Sequence, residues 1–128
     1  MSKFKLTVLC ISVLWSLSAC EHHRQMVREE QAQLNQATQA VRACVVNFVL
    51  ETDSPRLTGF ELVEAGASAC GNKTAKLREI MADQGYDKNE TQALVNATIK
   101  EGQQDALAAL AAHDQKNPPK RVVKDPIS

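Results

Sequence analysis

Apolar residues fall into distinct patterns along this chain. From Leu6 to Leu17 they form an almost unbroken run, interrupted only by Thr7, Ser12 and Ser16. From about residue 24 the run gives way to a stripe. Val27, Leu34, Val41 and Phe48 recur every seven residues, with Ala37, Cys44 and Val45 filling spacings of three and four. That periodicity predicts one long helix over 24–51. Its first half carries Arg24, Gln25, Arg28, Glu29, Glu30, Gln31 and Gln33, which suits a solvated stalk. Its second half, from Val41 to Leu50, is apolar enough to enter a core. Val45, Val46 and Val49 are β-branched and lose rotamer freedom in a helix, so a strand over 44–50 competes. The upstream heptad favours the helix.

Asp53-Ser54-Pro55 breaks the stripe, because proline cannot continue a helix interior and biases the residue before it away from helical angles. Thr58-Gly59-Phe60-Glu61 then has the form of a capping box, with Thr at the N-cap and Glu at the third helical position. Leu57 and Leu62 sit where a hydrophobic staple needs them. The second helix is expected to run to about Cys70, with Phe60, Val63, Ala67 and Cys70 on one face and Gly71 in a left-handed cap. A third helix starts at Asn72 or Thr74, buries Leu77, Ile80 and Met81, and ends at Gly85. Asp87-Lys88-Asn89-Glu90 opens a fourth, whose face is Val95, Ile99, Gly102, Ala106 and Leu110, flanked by Leu94 and Leu107. From Asn117 onward the chain holds Pro118, Pro119, Lys120, Arg121, Lys124 and Pro126, the composition of a disordered basic tail. The expected fold is all-α: a long N-terminal helix plus a small bundle of about four helices.

The first apolar run has a separate meaning. Lys3 and Lys5 precede it and the small residues Ser18 and Ala19 follow, the order of a secretion signal. At ~1.5 Å per helical residue, about a dozen residues are too short to span a ~30 Å hydrocarbon core comfortably. The competing reading, a buried or interfacial helix, does not explain the abrupt polar break at Glu21-His22-His23-Arg24. Leu17-Ser18-Ala19-Cys20 resembles the lipobox of bacterial lipoproteins. The resemblance covers only about the first 20 residues. It implies cleavage before Cys20, diacylglycerol on the Cys20 sulfur and a further acyl chain, such as palmitate, on the new amino group. Two or more chains anchor stably where one binds only reversibly. The same resemblance implies a periplasm-facing protein. Glu21 in the sorting position, rather than Asp, implies the outer membrane over the inner. The expected organisation is therefore a signal peptide over 1–19, an anchor and stalk over 20–40, a helical domain over 41–115 and a tail over 116–128.

Removing 19 of 128 residues leaves 109, enough for one domain that buries about 60–70% of its unfolded surface. Losing Lys3 and Lys5 takes the 15 basic side chains to 13 against 15 acidic ones, a net charge of −2. No basic excess attracts nucleic acid. Of the four cysteines, Cys10 leaves with the signal and Cys20 is taken by lipid. Cys44 and Cys70 remain as a pair in an oxidising compartment, and a disulfide between them is expected. Two buried free thiols are the alternative. A metal site is not expected, since His22, His23 and His113 are the only histidines and no Cys-x-x-Cys occurs. The domain's large anchors are few (Phe48, Phe60 and Tyr86), so its core rests on Leu, Val, Ile and Ala, and the disulfide is read as structural.

Catalytic patterns are missing: no Gly-x-Ser-x-Gly, no His-Glu-x-x-His, no Gly-rich phosphate loop. Glu61 and Glu64 read as a solvated face. His22 and His23 read as linker, and His113 as a favourable charge at a helix C-terminus. Asn72-Lys73-Thr74, Asn89-Glu90-Thr91 and Asn96-Ala97-Thr98 match the glycosylation pattern, but chance in polar helix starts explains them more economically. No cofactor is expected. The reading that follows is a non-enzymatic interaction or accessory module, held at the membrane by lipid and working on an envelope protein partner. It is similar in size and tether to secretin pilotins. An immunity lipoprotein against a periplasmic toxin and, behind it, an envelope hydrolase are the alternatives.

Overall fold

No proline or glycine occurs before Pro55, so nothing in the chain interrupts a helix from the N-terminus onward. The computed structural model describes the backbone of residues 2–52, 54 and 56–118, with side chains from Val27 onward. In it, α1 spans Ser2–Thr52, α2 Gly59–Ala69, α3 Gly71–Asp83 and α4 Lys88–Lys116. The described residues contain no strand, so 44–50 is helical despite its valines. Residues Met1–Gln33 and Leu34–Ser128 form separate compact units. In the first, the helix carries an exposed side chain at every position from Val27 to Gln33. Val27 is 47% exposed, so it takes no part in the buried stripe that its heptad spacing suggested. The leader, Leu17 to Glu21, His22 and His23 lie outside the residues whose side chains are described, as does the tail from Pro119.

The second unit begins to bury its stripe at Ala37. The buried line on α1 is Ala37, Val41, Val45 and Val49, an i, i+4 series. This is the row of an α-helix that stacks one residue above the next on a single face. The core lies in two tiers along it. In one tier, Ala37 and Val41 meet Leu77 and Met81 of α3 and Val95 of α4, with Leu34, Ile80, Leu94 and Ile99 at the margin. In the other, Val45 and Val49 meet Leu62, Val63 and Cys70 beside Ala106 and Leu110. Residue numbers therefore rise together along α1 and α4, which run parallel. They fall along α2 and α3, which form one antiparallel stroke opposite both.

That stroke is interrupted only at Cys70. Its backbone stays paired across the break: the Cys70 N–H donates to Gly66 O at 3.0 Å, and Cys70 O accepts from the N–H groups of Lys73 and Thr74. The buried Thr74 hydroxyl donates to the same carbonyl at 3.2 Å. Gly71 is consequently not the left-handed cap that its position suggested; it opens α3. The third helix starts there rather than at Asn72 or Thr74. With Cys70 keeping φ at −92°, no change of hand is needed.

Both capping boxes form. Glu61 N–H donates to Thr58 Oγ1 at 3.2 Å, and Thr58 N–H to the Glu61 carboxylate at 2.8 Å. Asp87 and Glu90 repeat the exchange at 2.8 and 3.1 Å. Leu62 is fully buried and Leu57 packs against its cluster, as the staple requires.

Gly85 ends α3 with φ of +86°, the single positive value among the described residues. Gly85 N–H donates to Ala82 O and Tyr86 N–H to Met81 O, both at 3.1 Å, the Schellman pattern. Gly85→Ala is expected to cost about 1 kcal/mol because a Cβ disfavours that φ. A Cβ on Gly71 meets nothing within 4 Å. Gly71→Ala should therefore gain up to about 0.5 kcal/mol by restricting the unfolded chain. Parallel thermal melts check the contrast, which fails if the two variants shift in the same direction.

Candidate interaction surface

The surface is built on a seam of close helix approach. Gly66 on α2 and Gly102 on α4 face the same residue of α1. A Cβ on Gly66 would stand 3.3 Å from Val45 Cγ1 and Phe48 Cδ1; one on Gly102 would stand 3.3 Å from the Cα of Arg42 and 3.5 Å from Val45 Cγ2. Glycine at both positions lets Val45 sit between two backbones. A third glycine, Gly59, brings the start of α2 to Leu107 and Leu110 of α4, where a Cβ would lie 3.4 and 3.6 Å from their Cδ2 atoms. One turn further along, the Gln103 side-chain amide donates to Val63 O at 3.3 Å.

Cys44 and Cys70 are joined, with Sγ atoms 2.08 Å apart and Cα atoms at 6.0 Å. The bond ties α1 to the break between α2 and α3, so the expected antiparallel staple is in place. On the far side of α1, Arg42 reaches α4. Its Nε donates to Asp105 Oδ2 at 2.7 Å, and its Nη1 stands 3.4 Å from Glu101 Oε2. The hydrogen bond to Asp105 holds the guanidinium above its ordinary pKa, against a smaller opposing effect of desolvation. Since Arg is charged at any working pH, the pair acts as a directional clip rather than a switch.

Polar groups singled out in the sequence mostly serve local structure. Glu61 belongs to the cap of α2 and is more than a solvated face. Asn72 Oδ1 accepts from Lys73 N–H, and Asn96 Oδ1 accepts from the Gln92 amide at 2.7 Å. His113 lies in the last turn of α4 with Nδ1 3.7 Å from Asp114 Oδ1, and that nitrogen has no hydrogen-bond partner among the described residues. The described residues contain no cluster of three or more His, Cys, Asp or Glu able to hold a metal ion. Among them, no helix is long and apolar enough to cross a membrane.

A few large apolar side chains remain exposed among the polar ones. Phe60 is 66% exposed and Leu107 42%. Phe60 thus departs from the buried face assigned to it. The α2 residues that do go inside are Leu62, Val63 and Gly66, with Cys70 just beyond. At 3.6 residues per turn, Phe60 lies roughly a quarter-turn round from their centre. Gly59 places the two side chains beside the same α2–α4 seam. A shallow depression of about 470 Å³ adjoins the disulfide, lined by Ala40, Cys44, Asn47, Phe48 and Lys73 among others.

Sequence patterns could have found Phe60 only by weighing the 62/63/66 stripe above the 60/63/67 one. Nothing in the sequence marks Arg42 as the partner of residues about sixty positions away. Comparison with family models, curated proteins and solved structures finds no match to this chain.

Proposed function

We propose that this chain is a membrane-anchored lipoprotein of the bacterial envelope, facing the periplasm, that acts as a non-enzymatic interaction module on an envelope protein. Lipid on Cys20 supplies the anchor, and Glu21 favours the outer membrane. The observation that carries the reading is the exposed pair Phe60 and Leu107, beside a seam of glycine contacts within a disulfide-stapled core. Large apolar side chains held on a rigid frame are the usual anchors of protein recognition, since little ordering entropy is lost on binding. A tether then raises the local concentration of the surface without adding contacts.

Two measurements test this. Cys20→Ser should abolish metabolic labelling with palmitate and leave the leader uncleaved; a variant that is processed and retained on membranes like the parent would overturn the anchor. A photo-crosslinking residue at position 60 of the full chain, expressed in cells, should trap a discrete envelope protein. The same probe at exposed Lys76, on α3, should not. Equal trapping at both positions, or none at position 60, would overturn the surface.

A further inference from the structure

We propose that the depression between the end of α3 and the start of α4 binds a saccharide bearing a carboxylate or phosphate. It is lined by Arg78, Ala82, Tyr86, Lys88, Thr91 and Gln92 and holds about 370 Å³, at the low end of the ~300–1,000 Å³ range of small-molecule clefts. It is remote in sequence from Phe60 and Leu107, and it stands independently of the lipid anchor.

Charge is the first argument. Two cations line the depression and no carboxylate does. The described ion pairs leave Arg78 and Lys88 unengaged. Three nearby acids have partners of their own, and Asp83, next to Ala82 in sequence, is not among the lining residues. Asp87 and Glu90 each accept a backbone N–H from the other in the capping box. Glu79 holds Lys76 at 3.2 Å. An anion arriving between Arg78 and Lys88 therefore displaces no internal partner. The planar guanidinium matches either a carboxylate or a phosphate with paired donors.

Shape and polarity select a sugar over a bare anion. Tyr86 is 41% exposed, and its ring offers an apolar platform next to the cations. Its backbone is set by the Schellman turn through Gly85, so no main-chain freedom is lost at this residue on binding. The Thr91 hydroxyl can donate and accept. The Gln92 amide donates to Asn96 Oδ1, which leaves its carbonyl oxygen as an acceptor. A ring with one apolar face, several hydroxyls and one negative substituent satisfies all of these groups together. The depression is open, so affinity in the millimolar range is expected for a single ring, and an oligosaccharide would gain by repetition.

The test is a titration of isotope-labelled full-length protein in detergent micelles, followed by amide NMR. The ligands are glucuronic acid, glucose 6-phosphate, glucose and inorganic phosphate, each to about 10 mM, where low-millimolar binding is visible. The two charged sugars should shift the amides of Tyr86, Thr91 and Gln92 saturably, with glucose at least tenfold weaker. Arg78→Gln and Tyr86→Ala should each weaken the charged sugars roughly tenfold, and Tyr86→Phe should not. If Tyr86→Ala disturbs the fold, Arg78→Gln and Tyr86→Phe still decide. Inorganic phosphate binding as tightly as glucose 6-phosphate would reduce the site to bare anion attraction and overturn the saccharide. Shifts of equal size with glucose, or no saturable shift with any ligand, would also overturn it. A trisaccharide of uronic acid then separates the sources: tighter binding than the monomer indicates a polymer, and equal binding a free sugar.

Discussion

Reduction of the Cys44–Cys70 disulfide should lower the midpoint of thermal unfolding by about 20 °C. The bond joins residues separated by 26 positions. Closing a loop of that size restricts the unfolded chain by an estimated ~3.5 kcal/mol. At roughly 4–8 °C per kcal/mol for a domain of this size, that becomes a shift of the stated order. The location of Cys70 strengthens the expectation. It is buried, and it occupies the one interruption in the antiparallel stroke, where a helix break has the least local support. Without the bond, α2 and α3 are held to α1 chiefly by apolar packing. Calorimetry of the protein with and without reductant, and of a Cys44→Ser/Cys70→Ser double variant, checks this. A shift of only a few degrees would mean that the unfolded chain already keeps these segments close.

Replacing Gly102 by valine should destabilise the domain by about 3 kcal/mol, near the upper end of typical overpacking costs. Two effects oppose one another here. Side chains other than proline's improve helix propensity over glycine, by up to ~1 kcal/mol for alanine. Against this, even the first carbon would stand 3.3 Å from the Cα of Arg42. That neighbour is backbone, fixed two residues before Cys44 and clipped to Asp105. It cannot rotate away as a side-chain tip would. Alanine should therefore come out near neutral, with propensity and crowding cancelling. Valine adds two methyl groups to the same space, and crowding wins. Denaturant unfolding of both variants separates the effects. A Gly102→Val protein as stable as the parent would show that α1 and α4 can part without loss.

Features legible in the sequence were those decided within a few residues. Thr58 with Glu61 and Asp87 with Glu90 identified two helix starts because a capping box is a local exchange of hydrogen bonds. Gly85 identified an end because its turn needs a positive φ. The Cys44–Cys70 pair was legible by elimination once the expected leader and lipid anchor are assigned Cys10 and Cys20. Features decided by distant partners were not legible. Gly71 looks like a cap in sequence, but Thr74 and Lys73 satisfy the Cys70 carbonyl and let a new helix start at once. Phe60 looks like a core residue by size, yet the close approach at Gly59 and Gly66 sets which face of α2 turns inward. Arg42 carries no signal in the sequence, because its partners Glu101 and Asp105 lie on α4. The Tyr86 depression has no motif; it arises where a Schellman turn leads into a capping box. The lipobox, by contrast, rests on sequence alone.

Because α1 and α4 lie side by side, Arg42 pairs with a residue 63 positions later. Both tiers of the core are thus completed only by α4. A chain that has entered an oxidising compartment as far as Asp83 possesses both sulfurs and can crosslink them. It still shows Val41 and Val45 to water. Contacts between distant segments are slow to form because a long loop must close first. The crosslink joins α1 to the α2–α3 break, which shortens the loop left to close before α4 docks. A chain truncated before Lys88 would remain a client of chaperones and proteases, however well its early helices form.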